Sequence, residues 1–171
     1  MPLVEIPYDR DAAVTYAHIW AYRRNPRYYD YEMLGGDCTN YASQCLYHGT
    51  GVMNPTPVFG WYYWDANEKA PAWTGVEYFY RFIVREEEDT GPFGIETDLS
   101  ALRPGDFVQL ELGEERFSHT PVVVDTGRKA TLWNTLVAAH SGDTDYRPLG
   151  TYDFRRLRCL HILGARKWED P

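Results

Sequence analysis

Three side chains in this sequence are of the types from which a nucleophilic site is built: Cys38, His119 and His140. Cys38 stands in the run Gly35-Gly36-Asp37-Cys38-Thr39-Asn40-Tyr41-Ala42-Ser43-Gln44-Cys45. From there Tyr41, Ala42, Cys45 and Leu46 recur at the three-and-four spacing of a helix with one buried face, and Gly49 and Gly51 supply its stop. The thiol is therefore expected in the first turn. Unpaired backbone N–H groups and the positive end of the helix dipole there favour a thiolate, lower its pKa and make attack on a carbonyl feasible near neutral pH. Asp37 is the expected N-cap, and the paired glycines let the backbone turn sharply and leave the sulfur open. The competing reading is a buried structural cysteine at a helix start.

Amide cleavage also needs a proton donor for the departing amine, a task that suits histidine near neutral pH. Among the five histidines, His18 lies inside a helical pattern, His48 at a helix end and His161 in an apolar strand, where structural roles suffice. His119 opens one strand and His140 closes the next. If those strands form an antiparallel hairpin, both imidazoles come to the same edge of the sheet, and a cysteine on a helix packed there completes a nucleophile, a base and an orienter. A slip of one residue sends one imidazole to the opposite face. Asp143 is the reserve for the third role. Two histidines and an aspartate are also zinc ligand types, but their spacing matches no compact metal motif.

The elements that must position these groups are legible in outline. Residues 9–24 read as a first helix with an apolar stripe that ends at Asn25-Pro26. A tyrosine-rich connector, 28–34, leads into the glycines; one of its phenols is a candidate oxyanion donor or a cap on the core. An irregular stretch from 49 to 72 carries Trp61-Tyr62-Tyr63-Trp64, read either as a ligand-binding wall or as a plug between helices and sheet. A helix is expected over 73–87, Gly91–Gly94 reads as punctuation, and 99–105 as a turn. From 106 the period changes to two, with strands at 107–112, 119–124, 135–140 and 157–163. Helices followed by antiparallel strands give an α+β class, and 171 residues suit one domain spanning 1–171.

Composition narrows the function. A net charge of -8 argues against a nucleic-acid backbone as partner, and runs such as Arg23-Arg24 and Arg155-Arg156 read as solvated faces. A mean hydropathy of -0.51 without a long apolar run excludes a membrane span, and the opening residues show no signal-peptide pattern. Three cysteines at 38, 45 and 159 suggest neither a disulfide scaffold nor a zinc site, and Cys45 and Cys159 read as packing residues.

The sequence resembles the putative amidase domain of bacterial proteins, related to the NlpC/P60 and CHAP members of the papain-like cysteine peptidases. The resemblance spans nearly the whole chain. It rests on Tyr16-Ala17 with Trp20 and Arg24-Asn25-Pro26, on the run around Cys38, and on Gly105-Asp106, Phe117-Ser118-His119, Leu136-Val137-Ala138-Ala139-His140-Ser141 and Arg147-Pro148-Leu149. It implies a papain-like α+β fold with N-terminal helices on a C-terminal antiparallel sheet. It also implies Cys38 as nucleophile, His119 as general base and acid, His140 as the residue that orients His119, and Tyr31 near the place of an oxyanion tyrosine. The relatives' Asp-Cys-Ser-Gly start is Asp37-Cys38-Thr39-Asn40 here. The implied activity is hydrolysis of an amide through a thioester, with the Cys38 N–H helping to hold the oxyanion, on a peptide or peptidoglycan-like substrate and without a cofactor. A non-catalytic peptide- or glycan-binding module on the same fold is the alternative.

Overall fold

The computed structural model describes residues 1–170. In chain order the elements are β1 (Leu3–Ile6), α1 (Arg10–Trp20), α2 (Cys38–Thr50), β2 (Tyr63–Asp65), β3 (Glu68–Lys69), α3 (Pro71–Thr74), α4 (Val76–Ile83), β4 (Gly91–Thr97), β5 (Phe107–Glu111), β6 (Phe117–His119), β7 (Val122–Asp125), β8 (Leu136–Ala139), β9 (Thr144–Pro148) and β10 (Arg156–Trp168). The class is α+β. The main sheet has eight antiparallel strands along the path β1-β10-β5-β7-β8-β9, with β4 also on β10 and β6 also on β5. No described helix is long and apolar enough to cross a membrane.

The two-residue alternation of the strands divides the core between the sheet's faces. Phe107, Val122, Val124, Ala138, Leu160 and Ile162 turn toward the helices, where they meet Ala17, Tyr41, Leu46 and Trp73. Val108, Leu110, Val123, Val137 and Cys159 turn the other way, onto Leu102, Ala130 and Leu149. Both faces are therefore covered, and β5 is buried along its whole length.

Several elements depart from expectation. The first helix stops at Trp20, short of Arg24. The expected helix over 73–87 is two pieces that meet at Gly75, where the backbone is extended. Gly91–Gly94 is not punctuation but the start of β4, and β1 and β9 are strands that periodicity did not reveal. In the aromatic run, Trp61 and Tyr63 are buried against Trp73, so these two plug the core, while Trp64 is exposed.

Candidate active site

α2 begins at Cys38 as its sequence requires, and Gly51 closes it in a left-handed conformation with its N–H on the Tyr47 carbonyl. Asp37 occupies the N-cap position but makes no side-chain cap bond. Its carboxylate is drawn elsewhere. Oδ1 accepts from the Tyr31 N–H (2.9 Å) and Asn40 Nδ2 (2.9 Å), and Oδ2 accepts from His140 Nδ1 (2.6 Å). The helix's first N–H groups, which have no intrahelical partner, are thereby left without their usual side-chain acceptor beside the thiol. Gly36 makes the approach possible: its φ is +101°, and a Cβ there would sit 3.0 Å from Ser141 Oγ, which accepts the Asp37 N–H.

Cys38 is 7% exposed and lines a cleft of about 920 Å³ with Tyr31, Lys69, Glu77 and Ser118. Its hydrogen-bond neighbours are Thr39 Oγ1 at 3.7 Å and the Ser118 carbonyl at 3.9 Å. Thr39 Oγ1 continues to Thr120 Oγ1 (3.0 Å), which also receives Gln109 Nε2 (3.2 Å), tying the helix start to the sheet. Burial pushes the thiol pKa up, against the lowering effect of the Thr39 and Thr120 hydrogen bonds. The expectation of a depressed thiol pKa is thus corrected: removal of the sulfur from water outweighs the helix terminus. Alkylation by iodoacetamide should accordingly be slow at pH 7 and accelerate above the ordinary thiol range of about 8.5. Cys38 should still react before Cys45 and Cys159, whose thiols burial also pushes up. Peptide mapping by mass spectrometry reads this, and rapid labelling at pH 6 would contradict it.

The two histidines do not meet. His119 pairs with Leu110, whose side chain belongs to the face away from the helices, and its ring lies 5.6 Å from that of Tyr152. His140 faces the helices, stacked on Tyr41 at 4.0 Å. Its Nδ1 is on Asp37, and its Nε2 is 2.7 Å from the Trp20 carbonyl. Both nitrogens face acceptors, a carboxylate and the C-terminal end of α1. Both are thus taken up, and His140 has none left to orient His119. The expected antiparallel hairpin forms and brings both histidines to the same end of it, but one-residue parity puts them on opposite faces: Thr120, not His119, shares the helix face with His140.

The remaining candidates are equally placed. Asp143 forms a two-pronged pair with Arg24 (2.7 and 3.1 Å), whose Nε lies 3.6 Å from Asp37, so Arg24 belongs to the support of the site rather than to a solvated face. The Tyr31 hydroxyl donates to the Ala66 carbonyl (3.3 Å), and its ring lines the cleft. Asn40 donates to Asp37 and the Tyr29 carbonyl and accepts from Trp73 Nε1 (3.0 Å), a locking role invisible in the sequence because both outer partners are distant along the chain.

His119 is 5% exposed, and its pKa is lowered to about 4, by burial first and by the nearby Arg147 guanidinium second. In the unfolded chain the imidazole titrates near about 6.5. Above that pH neither state binds the proton; as pH falls from about 6.5 through about 4, the unfolded state takes it up and the folded state does not. Stability is therefore lost across that window, by about 3 kcal/mol in full. Urea denaturation from pH 7 to 4 should show this loss, and His119→Gln should flatten it. The Tyr152 phenol, raised mainly by burial, is raised further by charge on Cys38, so thiol and imidazole share this neighbour.

Comparison with known proteins bears on the class. Over 119 residues the chain is 30% identical to the "Uncharacterized protein YhbB" of Bacillus subtilis (strain 168), covering 68% of this chain and 37% of that protein. No solved structure matches. A model of the family described as "Putative amidase domain" matches residues 7–162, and the chain belongs to that family.

Proposed function

We propose that the protein is a cysteine amidase with a papain-like arrangement, contained in one domain, that cleaves an amide bond in a peptide of the bacterial cell-wall class. The observation that carries this reading is the Cys38 thiol at the uncapped start of α2, lining a cleft, with the strand end bearing His119 against its sulfur. Family membership supports amide hydrolysis.

In this reading Cys38 and His119 rest as a neutral thiol and a neutral imidazole. The sulfur attacks the amide carbonyl while its proton passes to His119, whose ring, packed beside Tyr152 at rest, must turn toward the sulfur as the substrate enters. The oxyanion is held by the N–H groups of the first turn, and His119 gives the proton to the departing amine. Water then attacks the thioester with His119 as base, releasing the acid and restoring the thiol. With His119 neutral down to about pH 4, the acid limb of kcat/KM should fall there rather than near the ordinary imidazole value.

Incubation with purified peptidoglycan and a peptide library, wild type beside Cys38→Ala and read by mass spectrometry, tests the proposal. Cleavage unique to wild type supports it; none would turn the assignment to a peptide- or glycan-binding module. That second reading has one observation in its favour: the hydrogen-bond partners of the sulfur are Thr39 and Ser118, not an imidazole.

A further inference from the structure

The cleft wall is rich in charged side chains. Its lining carries four cations, Lys69, Arg116, Arg156 and Arg158, and two carboxylates, Glu77 and Glu115. Three of the cations are already matched. Arg158 pairs with Glu77 (2.8 Å), Arg116 with Glu114 (2.8 Å) and Arg156 with Glu111. Lys69 makes no ion pair among the described residues.

Lys69 is nonetheless held in place. It sits on β3, paired to Tyr63 of β2, and its ammonium donates to Thr74 Oγ1 (3.0 Å) and lies 5.3 Å over the Tyr31 ring. Tyr31 is bonded through its N–H to Asp37, the residue before the thiol. An ammonium has three N–H donors, and one is used by Thr74. Half-burial lowers the Lys69 pKa, and no acidic neighbour offsets that cost. A positioned, partly desolvated cation with spare donors on the wall of a cleft has the chemistry of a carboxylate receptor.

We propose that Lys69 anchors a carboxylate of the substrate near the scissile amide, so that the enzyme acts on acidic peptides. This rests on the amidase reading for turnover but not for binding, and the two are tested apart. Two libraries of acetylated pentapeptide amides are compared, identical except that Asp and Glu in one are Asn and Gln in the other. A charge-assisted hydrogen bond at this site should favour the acidic library about ten-fold in kcat/KM. Lys69→Met should bring the ratio near one, Lys69→Arg should retain part of it, and Lys129→Met, an exposed lysine, should leave it unchanged. Equal cleavage of both libraries by wild type would overturn the inference while leaving the amidase standing. If neither library is cleaved, the amidase reading fails, and affinity of the Cys38→Ala protein for each library, by isothermal calorimetry, decides the carboxylate question. Preferential acidic binding lost in Cys38→Ala/Lys69→Met supports the inference, and equal or absent binding overturns it.

Discussion

Cys38→Ala should abolish amide hydrolysis, by about 10⁴-fold or more in kcat, with the circular dichroism spectrum and thermal midpoint little changed. The size follows from the chemistry: without sulfur no thioester forms, and uncatalysed attack by water is all that remains. The fold should tolerate the change because Thr39, not Cys38, ties the helix start to Thr120. Cys45→Ala and Cys159→Ala serve as controls. Both side chains are buried, Cys45 with the helices and Cys159 in the opposite half of the core, so their loss should affect stability rather than rate. Trapping a covalent acyl adduct by intact-protein mass spectrometry in wild type, and its absence in Cys38→Ala, completes the test; an adduct that survives the substitution would place the nucleophile elsewhere.

His140→Ala should destabilise the protein by about 3–5 kcal/mol, because it removes a buried ring stacked on Tyr41 and takes from Asp37, 1% exposed, its shortest hydrogen bond. In a chain of this length that corresponds to a fall of roughly 10 °C in the thermal midpoint. Activity should fall with it, since Asp37 would be free to swing back onto the N–H groups of its own helix and close the oxyanion site. The outcome separates two roles for this histidine. A brace loses stability first; an orienter of His119 would lose kcat with the midpoint unmoved, and that result would restore the expected triad. Removing Asp37 as well should recover part of the lost stability, as a double-mutant cycle would show.

The Cys38 helix was legible because its signals are local. The apolar spacing of Tyr41, Ala42, Cys45 and Leu46, with glycines before and after, fixes start and stop without help from distant residues. What a sequence reading missed depends on partners far along the chain. Asp37 was recognisable as an N-cap, but its carboxylate answers to a residue 103 positions away. The placement of His119 turned on strand parity: β6 and β7 keep one register along β5 through Thr120-Pro121, and that count of odd and even positions determines which face an imidazole meets. β4 was hidden by its own composition, since Gly91-Pro92-Phe93-Gly94 carries turn residues. Gly94 is in fact required by the neighbouring strand, because a Cβ there would collide with the His161 carbonyl. Lys69 lies on a two-residue strand within a stretch that reads as irregular, so nothing local set it apart.

The longest strand, β10, has a consequence for how the molecule comes into being. It is the shared neighbour of β1, β4 and β5, and Leu3 lies opposite Trp168. During synthesis β1 waits for its partner in residues 156–168, more than 150 positions later, and such remote pairings are slow to form. Until that segment arrives β5 lacks one partner, and the strand of His119 hangs on an unfinished edge. Completion of the sheet is therefore deferred until residues 156–168 are made, and a chain cut short before residue 156 should accumulate as an inert, aggregation-prone fragment.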